Sequence, residues 1–178
     1  ALELGRELLA FRDEQQKTKS PYLSFIAVYD DCDFENEETY EAALWQELSN
    51  LASVPELDAP WDPNFSSNPE DKTFCFSLGG TAFFVVGLHP MSSRVARRFY
   101  KPAIVFNLFE QFENLDEATE FYPMVKSNRA RELALQGNLN PMVEQWAEKW
   151  ESIQFSGRNN PPNWKCPFHR AMRKMGLM

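Results

Sequence analysis

The sequence predicts an α+β domain, a largely antiparallel sheet of about four or more strands packed with helices. Three observations lead there. Short apolar runs with strand-like alternation recur at Leu23–Tyr29, Thr73–Leu78, Thr81–Leu88 and Ala103–Leu108. Gly79-Gly80 joins two of these runs through a tight turn, which makes that pair a hairpin. Around the runs, the apolar period changes to that of amphipathic helices. No internal repeat, low-complexity tract or linker divides the 178 residues. The expected organisation is therefore a single domain over 1–178, with 1–20 a helical N-terminal extension, 21–168 the core and 169–178 a tail.

In chain order, Leu4, Leu8, Leu9 and Phe11 stand close to helical spacing, which predicts a helix over Leu2–Gln16. "SPYLSFIAVYD" then reads as a strand entered through a proline. Phe25, Ala27 and Tyr29 share one face and Ile26 and Val28 the other, and apolar residues on both faces predict a central strand. Tyr40, Leu44, Leu48 and Leu51 recur at helical intervals behind an acidic first turn, where the helix dipole favours carboxylates. "SVPELDAPWDPNFSSNPED" is a long proline-marked loop. The hairpin follows, and its second strand, Thr81–Leu88, is apolar on both faces and is placed away from an edge. A helix is expected from about Ser93, then the strand Ala103–Leu108 and a short turn of helix. A further helix is expected after Pro123, closed by Gly137 as C-cap, and another begins near Pro141 and runs through "WESIQFSG". "RNNPPNWKCPFHR" is irregular.

Composition narrows the function classes. A hydrophobic fraction of 43% and an aromatic fraction of 14%, with 15 Phe and 5 Trp, describe a chain with a packed core. A net charge of -8 argues against nucleic acid or an anionic membrane as partner. The longest apolar run, Ala82 to Leu88, is too short to span a bilayer, and no charged-then-apolar signal segment opens the chain. Cys32, Cys75 and Cys166 are odd in number and widely spaced, which fits reduced thiols in a cytoplasmic protein better than a disulfide framework or a structural zinc site.

Against this acidic background, "GLHPMSSRVARRF" (Gly87 to Phe99) places one of two histidines and then three arginines at the end of the most hydrophobic run. His89 falls on the strand face of Phe83, Val85 and Gly87. Ser92 or Ser93 would cap the expected helix, and Arg94, Arg97 and Arg98 at i, i+3 and i+4 would form one ridge on it. Arginines near a helix start oppose the dipole, so an anion should compensate: a ligand carboxylate or phosphate, or the protein's own carboxylates. A lone histidine does not make a zinc or non-haem iron site, but it suffices as axial donor to a haem, which brings four nitrogens of its own. The two haem propionates would answer the arginines. The competing reading is a hydrogen-bonded structural histidine.

"FFVVGLHPMSSRVARRF", "PAIVFNLFEQFENL", "LQGNLNPMV" and "WKCPF" occur in this order, and over roughly Tyr22 to Phe168 the chain resembles the YqcI/YcgG family. The motif positions are His89, Pro90, Ser92, Ser93, Arg94, Arg97, Arg98 and Phe99, then Asn107, Phe112, Glu113, Gly137, Asn140, Pro141, Trp164, Cys166, Pro167 and Phe168. Phe109 departs from the pattern, where a polar residue or histidine is expected. The resemblance implies a haem b (iron) oxidoreductase, a monooxygenase that hydroxylates a nitrogen of arginine or a related guanidine or amine compound. O₂ and electrons from an external donor would drive it. It does not fix the iron ligand.

His89 is the first choice as metal ligand, at the end of a rigid strand. Cys166, flanked by Trp164 and Phe168, is second, as a thiolate ligand or else a small buried hydrophobe. His169 is third. Ser93, Arg94, Arg97 and Arg98 join the expected cofactor-binding set. A cationic substrate calls for a carboxylate and aromatic walls. Glu113 is the expected catalytic-site carboxylate, with Asp58 and Asp62 as weaker candidates. No glycine-rich fingerprint for a flavin or nicotinamide follows a strand. Two other functions compete: a haem-binding sensor or carrier without turnover, and a cofactor-free protein that binds an anion or a partner.

Overall fold

The computed structural model describes residues 1–18, 20, 22–117, 119–144 and 151–168. Its centre is a four-stranded antiparallel sheet made of β1 (Phe25–Val28), β2 (Phe76–Leu78), β3 (Thr81–Leu88) and β4 (Ala103–Leu108), in the order β1-β4-β3-β2. Helices α1 (Leu2–Thr18) and α2 (Glu37–Ala52) cover one face. Helices α3 (Glu110–Glu117) and α4 (Phe121–Gln136) follow β4, and α5 (Pro141–Glu144) comes next. The chain is an α+β single domain, as the sequence predicts.

The two inner strands have the bounds that alternation predicts. In β3, Phe83, Val85 and Gly87 are buried while Phe84, Val86 and Leu88 are half-buried. Register pairs Val85 with Phe106 and Phe83 with Phe76, so the aromatic rings gather on one side. Gly79 and Gly80 both take positive φ, 57° and 79°, which a two-residue hairpin turn requires. Tyr40, Leu44, Leu48 and Leu51 of α2 pack on this face beside Leu8 of α1. Asn36 caps α2 in a reciprocal box with Thr39. Deleting one of these rings, Phe106 for example, would cost about 3–5 kcal/mol.

Gly87 sets the closest approach of α2 to the sheet. A Cβ there would meet Leu44 Cδ1 and Tyr40 Oη at 2.7 Å, and the Tyr40 hydroxyl is fixed by donating to the Ala103 carbonyl at 2.7 Å. Tail residues also enter the core: Phe155 stacks on Trp45 with ring centroids 5.5 Å apart, and Trp164, Cys166 and Phe168 join the same cluster. Glu41 of α2 draws the tail in, accepting from Ser156 Oγ (2.9 Å), Asn160 Nδ2 (2.8 Å) and Arg158 Nη1 (3.1 Å).

Three expectations are corrected. The strand from Leu23 is an edge strand, not a central one: among the described residues β1 pairs only with β4, and Ile26 and Val28 are 50% and 40% exposed on the face away from α1 and α2. The helix expected from Ser93 is a single 3₁₀ turn, Val95–Arg97. The helix from Pro141 is described only to Glu144; residues 145–150 lie outside the described residues, and Glu151–Gln154 is again a 3₁₀ turn. The cause at Ser93 is geometric. His89 N–H donates to the Arg97 carbonyl, and the Arg97 side chain reaches back to the Gly87 carbonyl. The chain has thus returned to the strand end by residue 97, whereas an α-helix from Ser93 would have carried it ~6 Å along its axis by then.

Candidate functional site

On the face of β3 opposite α2, Phe84 and Val86 form the floor of a cleft of about 610 Å³. Phe109 and Phe112 of the β4–α3 segment flank it, and α4 spans it with Phe121, Met124 and Val125 on the lining side. That volume lies within the ~300–1,000 Å³ range of small-molecule pockets. Polar groups are few: Arg97 and Gln154 in one wall, Glu113 of α3, and Asn128, Arg129 and Glu132 of α4. Phe84 meets Phe112 edge-on at 5.7 Å, which holds both rings in place.

Helix α4 has no buried residue of its own. It is tied down near its C-terminal end. Arg94 donates to Glu132 at 2.7 Å and to the side chain and carbonyl of Asn138 at 2.8 and 2.9 Å. Gln136 bonds Val95 N–H and the Ser93 carbonyl. Gly137, with φ 79°, ends the helix as its C-cap.

The structure distributes the expected site residues rather than gathering them. Arg97 and Glu113 share the cleft. Arg94 is buried and committed to Glu132 and Asn138. Arg98 donates from Nε to the Ser92 carbonyl, and Ser93 donates from N–H and Oγ to Glu37. Cys166 is buried in the core. Asp62 accepts from the Ala82 and Asn64 amides, so it shapes the loop, and Asp58 is exposed. His169 lies outside the described residues. Phe109, the departure from the expected motif, is a wall of the cleft.

His89 stands apart. It is 1% exposed, stacks on Tyr40 of α2 with centroids 4.3 Å apart, and does not line the cleft. Among the described residues neither ring nitrogen has a hydrogen-bond partner. Burial holds its pKa below the ordinary 6.5, with Glu37 opposing, so the imidazole is neutral at pH 7. Among the described residues, no three His, Cys, Asp or Glu side chains cluster as a metal site. A haem needs only one protein donor, and on that count the neutral, unpartnered imidazole of His89 fits. The arginine ridge does not fit a propionate cradle, because the 3₁₀ turn sends its three members to different partners.

Sequence reasoning missed α4 as a wall. Its signal was present: Phe121, Met124, Val125, Asn128, Arg129 and Glu132 follow helical spacing, apolar then polar, along one stripe. Among the described residues no helix is long and apolar enough to cross a membrane. The model of the YqcI/YcgG family matches residues 1–169. No curated protein and no solved structure matches the chain.

Proposed function

The chain belongs to the YqcI/YcgG family, and on that premise we propose that it is a haem-dependent monooxygenase hydroxylating a nitrogen of arginine or a related guanidine or amine compound. The observation that carries the haem part is His89, a buried imidazole with neither nitrogen partnered among the described residues. An unsatisfied buried polar group costs about 1–3 kcal/mol, so a folded chain that keeps one is expected to use it. Haem, when bound, supplies the activation of O₂, with electrons from an external donor. His89 would hold it through one ring nitrogen, and the stacked Tyr40 ring fixes the plane of the imidazole. Cys166 is the alternative donor.

The substrate part is supported by the cleft. Phe84, Phe112 and Phe121 line the cleft with aromatic rings that suit a planar cation, and Glu113 offers a carboxylate that a guanidinium would pair with. Helix α4 forms one wall of that space. His89 stacks on α2 while the cleft lies on the other face of β3, so a haem on His89 would meet a substrate held in the cleft only after rearrangement, and iron ligation and substrate binding are tested separately.

Expression with a haem precursor should give a protein with a Soret band, and His89→Ala should abolish or strongly alter it. A band that persists in His89→Ala and disappears in Cys166→Ser moves the ligand to the thiolate. Turnover is then read as O₂ consumption and N-hydroxylated product with arginine and a reductant, weakened in Glu113→Gln. A Soret band without turnover on any amine or guanidine would make the protein a haem sensor or carrier. A colourless protein that refuses added hemin would leave a cofactor-free anion-binding protein.

A further inference from the structure

We infer that the cleft binds an organic carboxylate, its charge met by Arg97 and its apolar body lying against Phe84, Phe112 and Phe121. The inference rests on reading this cleft as the ligand site and not on the oxygen chemistry proposed for it.

The starting observation is a cation with no ion-pair partner among the described residues. Arg97 lines the cleft, yet its hydrogen bonds go only to neutral acceptors. Nη1 reaches the Gly87 and Phe155 carbonyls at 3.2 and 3.3 Å, and Nη2 reaches the Gln154 carbonyl at 3.2 Å. None of the ion pairs among the described residues includes it. Glu132 exerts a favourable field on Arg97, but its ion pair is with Arg94. Desolvation lowers the pKa of Arg97 to about 10, so it is still a guanidinium at pH 7. Those three bonds leave two of its five N–H groups unassigned.

The chemistry selects the ligand class. Two remaining donors on one planar fork suit the two oxygens of a carboxylate. Glu113 and Glu132 in the same lining repel any anion, and a doubly charged phosphate about twice as strongly as a singly charged carboxylate. The other walls are aromatic and aliphatic, so the carboxylate should be carried on an apolar body. Two sources share this description: a propionate of a haem, and the carboxylate of a substrate.

The test compares charged and neutral forms of the same body on the full chain. 4-Phenylbutyrate is titrated against 4-phenylbutyramide by calorimetry, and hemin against its dimethyl ester by absorbance. The carboxylate member of at least one pair should bind about tenfold or more tightly than its neutral partner. Arg97→Gln should abolish that preference, and Arg97→Lys should keep part of it. A preference confined to the hemin pair assigns Arg97 to a propionate; one confined to the phenylbutyrate pair assigns it to substrate. If Arg97→Gln does not fold, Arg129→Gln replaces it: a preference that survives there supports Arg97, and one that is lost moves the site to Arg129 and overturns the inference. Absence of preference in both pairs, or a preference unchanged in folded Arg97→Gln, also overturns it. Loss of the Soret band with the phenylbutyrate preference intact sinks the oxygenase reading alone. Full turnover with no preference sinks this inference alone.

Discussion

Arg94 offers the sharpest energetic test, because its guanidinium holds both the chain after β3 and the helix across the cleft. Its side chain is 9% exposed and that of Glu132 19%, at 2.7 Å. Arg94→Ala strips Glu132 of its ion pair and Asn138 of two bonds. Removing one partner of a fully buried pair costs about 3–5 kcal/mol. Glu132 keeps a fifth of its surface in water and rehydrates in part, which lowers the expected loss to about 2–4 kcal/mol. For a chain of this length that is a fall in Tm of roughly 5–15 °C. Urea unfolding of the haem-free wild type, Arg94→Ala, Glu132→Ala and the double variant should close a cycle with a coupling of about 1–3 kcal/mol. Stability within about 0.5 kcal/mol of wild type, or a cycle that sums to zero, refutes the reasoning. A loss of hemin affinity at unchanged stability would instead return Arg94 to the ligand.

Gly87→Ala should lose about 1–3 kcal/mol in urea unfolding, because the new Cβ would lie 2.7 Å from a tyrosine hydroxyl already fixed on Ala103; wild-type stability would refute the close approach. His89 gives a pH signature in the haem-free protein. Burial holds its folded-state pKa below the unfolded 6.5, so as pH falls through 6.5 the unfolded chain takes up the proton first and the wild type loses stability. Relative to His89→Phe, the wild type should weaken between pH 7 and pH 5 with a slope of at most about 1.4 kcal/mol per pH unit. A difference that stays flat over that window contradicts the buried neutral imidazole.

The fold was legible where local chemistry and tertiary context agree. Alternation marked the bounds of β3 and β4, the Tyr40–Leu44–Leu48–Leu51 stripe marked α2, and Gly79-Gly80 and Gly137 marked points where φ must be positive. The place of β1 was not legible. Ile26 and Val28 are apolar on the second face, which reads the same whether another layer covers that face or water does. An edge is defined by hydrogen-bond partners, and those belong to β4, about eighty residues further along the chain.

The candidate site was legible by residue and not by arrangement. The spacing of Arg94, Arg97 and Arg98 makes a ridge only if the backbone between them is an α-helix, since i, i+3 and i+4 share a face at 3.6 residues per turn. The return of the chain to the strand end by residue 97 removes that condition. In the 3₁₀ turn that results, the three side chains point to three partners: Arg94 to α4, Arg98 to its own loop, and Arg97 to the carbonyls in the cleft wall. The basic cluster that suggested a ligand therefore divides into two arginines held by the protein's own groups and one, Arg97, with no ion pair among the described residues. An acidic protein with carboxylates to spare has left that one facing an apolar cleft. The charge pattern in the sequence was a reason to look for an anion, and of the three arginines the structure sets Arg97 in the cleft lining.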